Sequence, residues 1–150
     1  MEEASTQDRN RVLSRGVKIP VANKMLLLFN HHPTREQVMD AERTLDIRHI
    51  VQLPEVLQAL WSQVPADPPD IEPFLTPFKD WLRQSAQEGD YVLIQGDFGA
   101  TYLMVGFALA LGLVPVYATT ARQATEERLS DGSVRLVHHF VHRRFRKYGT

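Results

Sequence analysis

A chain of 150 residues, 43% hydrophobic, 9% aromatic and 23% charged, has the size and composition of one globular domain. Seventeen Lys and Arg against 18 Asp and Glu leave a net charge of −1, which argues against a coater of duplex nucleic acid or an acidic disordered tail. With no cysteine, disulfide scaffolds, thiolate nucleophiles, Cys-ligated zinc and iron–sulfur clusters are excluded.

No apolar run approaches the roughly 20 residues of a membrane span, and the polar start lacks a signal-peptide core. The expectation is therefore a cytoplasmic, one-domain protein that makes no use of a membrane. Its even charge total hides a segregation. Residues 34–90 hold eleven acids and five bases, whereas from Gly132 onward there are five bases (Arg135, Arg143, Arg144, Arg146, Lys147) and no acid. Such a basic end faces an anion, an acidic partner or simply solvent.

Residues 1–23 have little hydrophobic periodicity and read as a flexible extension, leaving 24–150 as the domain. Met25–Phe29 is a short apolar run suited to a buried strand. Asn30, His31, His32 and Pro33 break it, and Thr34 with Gln37 matches a capping box for a helix with Val38, Ala41 and Leu45 on its apolar stripe. Asp46 closes that helix. His49–Leu53 reads as a second strand, and Pro54 as the first position of a helix whose face is Val56, Leu57, Leu60 and Trp61. Pro65–Asp70 is a turn, and Ile71 to Gln87 returns to helical spacing through Phe74, Leu75, Phe78, Trp81 and Leu82.

Gly89-Asp90 stops that helix before a third strand, Tyr91–Gln95. Gly96-Asp97-Phe98-Gly99-Ala100-Thr101 then leads into a helix from Ala100 to Leu111, apolar nearly all round and so expected to be deeply buried. Leu113–Thr119 is a fourth strand. Gln123–Leu129 and Ser133–Phe145 flank Asp131-Gly132, which reads as a two-residue hairpin turn. Strands alternating with helices imply an α/β fold with a mostly parallel sheet flanked by helices, followed by a C-terminal antiparallel hairpin.

In such sheets ligands bind outside the carboxyl ends of the strands. Three tips are expected there: Asn30-His31-His32, Gly96 to Thr101, and Thr119, Thr120 and Arg122. The glycines of the second tip let backbone approach a ligand, and a helix start favours a phosphate. Asp97 caps that helix in an alternative reading and then opposes an anion. The segment fits neither the Walker pattern nor GxGxxG, and Asp97-Phe98-Gly99 matches the kinase triplet only by coincidence. Strand alternation places His142, Arg144, Arg146 and Tyr148 on one face, a row suited to phosphates and bases or to a solvated edge strand. Adjacent His pairs (His31-His32, His138-His139) diverge on a strand, and no metal-binding spacing or GxSxG elbow occurs. No metal or other cofactor is expected.

The segments LLLFNH (Leu26–His31), GDYVLIQGDFGATYLMV (Gly89–Val105), LGLVPVYATTAR (Leu111–Arg122) and HRRFRKY (His142–Tyr148) resemble the small stand-alone Csx-group proteins of type III CRISPR systems. These are ring nucleases that degrade cyclic oligoadenylate, chiefly the tetra-adenylate. The likeness covers residues 24–149 and leaves the leader aside. It implies a Rossmann-like fold related to the CARF sensor domains, a homodimer whose twofold matches the ligand's, and metal-independent attack of a ribose 2′-hydroxyl on its adjacent phosphate. The products expected are linear di-adenylates with 2′,3′-cyclic phosphate ends.

Roles follow as expectations from residue type and place. Backbone groups of Gly96, Gly99 and Ala100, with Phe98 and the Thr101 hydroxyl, hold the ligand. Arg122, Arg144 or Arg146 stabilises the pentacoordinate phosphate, and His142 or His31 assists proton transfer. Thr119, Thr120 and Asn30 contact ribose or base. Asp97 is a general base, a ligand to a 2′-hydroxyl, or a helix cap. A protein that sequesters the messenger uncut, and an interaction module whose basic ribbon docks on protein or RNA, remain open beside the nuclease.

Overall fold

A computed structural model describes residues 23–149 of the chain. Its elements are β1 (Asn23–Leu28), α1 (Arg35–Leu45), β2 (Ile47–Val51), α2 (Glu55–Trp61), α3 (Glu72–Ser85), β3 (Tyr91–Ile94), α4 (Phe98–Ala110), β4 (Val114–Arg128) and β5 (Val134–Lys147). The leader expected over residues 1–23 lies outside the described residues, apart from Asn23, which opens β1.

The five strands form one mixed sheet in the order β2-β1-β3-β4-β5. The pairs β1–β2, β1–β3 and β3–β4 are parallel, and β4–β5 is antiparallel. Strand alternation divides β1 between two cores. Leu26 and Leu28 join Val92 and Ile94 beneath α2, α3 and α4. Met25 and Leu27 join Ile47, Leu93 and Val116 beneath Ala41 of α1. Covered on both faces, Met25–Leu28 is buried without a break, which is why it reads as a continuous apolar run.

Local chemistry sets the boundaries. Thr34 accepts from the Gln37 N–H while the Gln37 side chain accepts from the Thr34 N–H, so the capping box is complete. Asp46 ends α1 in the left-handed conformation at φ 53°. Asp90, 5% exposed, accepts from the Gln87 N–H and faces the Lys24 ammonium at 3.2 Å, tying the end of α3 to β1.

Several expectations need correction. Strand two runs two residues earlier than His49–Leu53, at Ile47–Val51. Pro54 flanks α2 at its N-cap instead of occupying its first turn, and of the expected face only Trp61 is buried, Val56 being 74% exposed. Helix α4 starts at Phe98, and its buried stripe is Ala100, Met104 and Ala108. Its outer face, with Phe98, Tyr102 and Leu109, is uncovered, so the helix is half-buried.

The largest change is at the fourth strand. It does not end at Thr119 but continues to Arg128 as one arm of the hairpin. The turn is a three-residue loop: the Gly132 N–H donates to the Leu129 carbonyl, and the Leu129 N–H to the Ser133 carbonyl. Gly132 supplies the left-handed residue, at φ 84°, that such a loop requires.

Candidate functional site

The chain reverses its direction across the sheet between β1 and β3, since β2 lies on one side of this pair and β4 on the other. The crevice above their carboxyl ends is where an open α/β sheet takes a ligand. Asn30, half-buried, and His31, exposed, follow β1 there, and the His31 ring meets Phe29 edge-on at 5.3 Å.

The end of β3, at Ile94 and Gln95, is held from three directions. The Trp61 indole donates to the Gln95 carbonyl at 2.8 Å, the Tyr148 hydroxyl donates to the Ile94 carbonyl at 2.6 Å, and the Ala118 N–H donates to the Gln95 side chain at 2.9 Å. Gly96 is required by this closeness. A Cβ there would lie 2.7 Å from Trp61 Nε1.

Gln95, Gly96, Phe98, Thr101, Tyr117 and Tyr148 line a cleft of about 310 Å³. Thr101 Oγ1 is buried and has no hydrogen-bond partner among the described residues. The Tyr117 and Tyr148 rings lie 4.8 Å apart. The Arg146 guanidinium stands 5.6 Å over the Tyr117 ring and donates to its hydroxyl at 3.0 Å. Burial first, and then the neighbouring Tyr117, push the Tyr148 phenol above its usual range. Phe98, 94% exposed, forms the outer lip. Aromatic faces, an unused hydroxyl and a guanidinium together suit a nucleotide: rings for a base, cation and hydroxyl for a phosphate.

The expected tips are only partly assembled. Gly96, Phe98 and Thr101 line this cleft, and Arg146 adjoins it. Thr119 and Arg144 pair one step farther along the same face, the Thr119 hydroxyl donating to the Arg144 carbonyl. Asp97 is a helix cap, accepting from the Ala100 N–H at 3.0 Å. That bond occupies the Ala100 N–H expected to hold a phosphate, and Ala100 itself is fully buried. Gly99 is exposed beside the same carboxylate.

His142, Thr120 and Arg122 are elsewhere. Opposite Thr119 and Thr120 the strands slip by one residue, Thr119 pairing with Arg144 but Thr120 with His142. Arg143 is the extra residue of a β-bulge, and it rotates everything beyond it to the other face. His142 therefore points to the α1 side, where its Nε2 meets Asp40 at 2.7 Å and its ring packs at a tilt against Phe145, centroids 4.8 Å apart. Both side chains of the pair are nearly buried, at 6% and 12% exposure, and His142 Nδ1 has no partner among the described residues. The row of His142, Arg144 and Arg146 expected on one face does not exist. Arg122 sits on the exposed ribbon opposite Phe140, and Thr120 borders a hollow on the α1 side.

Tyr117, Gln95 and Trp61 are site residues that the sequence reading missed. The Tyr117–Arg146 pair follows only from a hairpin register that includes the bulge. Among the described residues no group of three or more His, Cys, Asp or Glu is placed to hold a metal ion, and no helix is long and apolar enough to cross a membrane.

A family model described as "Uncharacterized protein MJ1673 family" matches residues 23–146. The chain is 48% identical over 125 residues to "Uncharacterized protein MJ1673" of Methanocaldococcus jannaschii, covering 83% of this chain and 96% of that one. No solved structure matches.

Proposed function

The chain belongs to the MJ1673 family, and we propose that its carboxyl-edge cleft binds a cyclic oligoadenylate, cyclic tetra-adenylate first among them, and opens the ring. One observation carries this reading. The partnerless, buried Thr101 hydroxyl lies at a cleft walled by Phe98, Tyr117 and Tyr148 and flanked by Arg146, so groups for a phosphate and for an adenine converge between the carboxyl end of β3 and β4, next to the switch point of the sheet. The resemblance of four sequence segments to the Csx-group ring nucleases supplies the ligand class. With it come the finer fold assignment, a CARF-related Rossmann-like domain, and a cytoplasmic homodimer that switches off type III CRISPR signalling.

The chemistry asks little of the protein. A ribose 2′-hydroxyl gives up its proton as its oxygen bonds to the adjacent phosphorus, the bond from phosphorus to the 5′-oxygen breaks, that oxygen takes up a proton in return, and the 2′,3′-cyclic phosphate remains. Arg146, with Arg144 one step along the face, stabilises the charge on phosphorus, while the rings and Thr101 hold the ribose in line. Of the two histidines expected to move a proton, His31 stands at this edge and His142 is turned away.

That displacement favours a second reading, in which the cleft sequesters the messenger uncut. Both readings require binding. Arg146→Ala removes one charge-assisted contact worth about 1.5–3 kcal/mol, which corresponds to roughly ten- to 150-fold weaker affinity for cyclic tetra-adenylate in equilibrium binding. No measurable binding by the unmodified chain, or an Arg146→Ala protein that binds equally well, contradicts the proposal.

A further inference from the structure

The antiparallel ribbon offers a second surface, separate from the cleft. From Ala121 outward β4 pairs only with β5, and at the usual rise per residue the arm from Ala121 to Arg128 reaches about 27 Å. A lone two-stranded hairpin is marginally stable in water. Alternation puts Arg122, Glu126 and Arg128 with Val134, Leu136 and Phe140 on the face turned to the α1 side. The three apolar side chains are 55%, 57% and 72% exposed.

Charges divide in the same way. On the opposite face Glu127 and Arg135 pair across the strands at 2.7 Å. On the α1-side face, among the described residues, Arg122, Glu126 and Arg128 have no ion-pair partner. The row runs down into a groove between α1 and β5, made of adjoining hollows of about 510 and 330 Å³. Its floor carries Met39, 53% exposed, with Glu36, Glu42, Arg43 and Arg143 around it. None of these four charges has an ion-pair partner among the described residues either.

We infer that a second copy of this chain occupies this face, each ribbon lying along the other copy's groove about a twofold axis; because the groove and the cleft are on opposite faces of the sheet, this axis is not the ligand-matched twofold that the resemblance implies. A twofold interface must be self-complementary, and this one is. Arg122 and Arg128 of one copy meet the acids of the other's α1, its Glu126 meets Arg43 and Arg143, and the apolar row covers Met39. Mixed charge of this kind suits a second copy better than a nucleic acid, which calls for a single positive sign. A ribbon face about 27 Å long and about 10 Å wide, given and received by both copies, buries about 1,100 Å² in total, close to the lower bound for a stable specific interface.

The test is light scattering on the full chain across a concentration series reaching the upper micromolar range. The expected mass is twice the 17.2 kDa of one chain, falling to one chain in Leu136→Asp and Phe140→Asp proteins whose circular dichroism is unchanged. Because the chain has no cysteine, Leu136→Cys supplies a single thiol that reports even if the aspartates unfold the ribbon. Its maleimide labelling slows as concentration rises, while His49→Cys, exposed on β2, labels at a constant rate. A chain that stays monomeric throughout the series overturns the inference and leaves the face to a different partner. So does a dimer that survives both aspartates, or a Leu136→Cys thiol labelled at one rate at all concentrations.

Discussion

Asp97 illustrates how one residue type serves two incompatible roles. A carboxylate bonded to the Ala100 N–H satisfies a helix start, and it also fills the place where an anion would sit. As a cap it contributes to folding. Asp97→Ala is expected to cost about 1 kcal/mol of stability in urea unfolding. Asp97→Ser, which keeps the cap and removes the charge, is expected to retain stability and bind cyclic tetra-adenylate at least as tightly. A large loss of binding or cleavage in Asp97→Ser would return Asp97 to the machinery. Gly96 was legible as a close-approach position, but its neighbour was not. The sequence places Trp61 on a helical face, and only the folded chain brings its indole against the Gln95 carbonyl.

At the scale of elements, the capping box, the helix stop at Asp46 and the unbroken strand at Met25–Leu28 were legible because each depends on residues close in sequence. The hairpin was legible as a hairpin, since Gly132 is needed for its turn. Its register was not. One extra residue at Arg143 exchanges the faces of His142 and Arg144, and nothing in the alternation of residue types marks it. The bulge hands His142 to Asp40, so this pair fastens α1 to the base of the ribbon. Asp40→Ala leaves a buried imidazole without either partner and is expected to destabilise the fold by about 1–3 kcal/mol. Binding at the cleft is expected to stay within about twofold, as for a site with no shared partner. An Asp40→Ala protein of unchanged stability but impaired cleavage would place the pair in the chemistry.

For the molecule as a whole, the order β2-β1-β3-β4-β5 creates a switch point, and the C-terminal segment wraps Tyr148 and Arg146 back against the neighbouring ends of β3 and β4. The basic C-terminal segment evident in the sequence is thereby split. Arg146 adjoins the cleft, while Arg143 belongs to the groove beneath the ribbon. Length and composition carry no information about this division, because it is made by tertiary pairing between residues far apart in the chain. The most direct measurement is incubation with radiolabelled cyclic tetra-adenylate in EDTA, with protein well below substrate and products resolved against linear standards. Conversion over many turnovers to di-adenylates with cyclic phosphate ends is the predicted result, whereas ring recovered intact throughout would contradict ring opening.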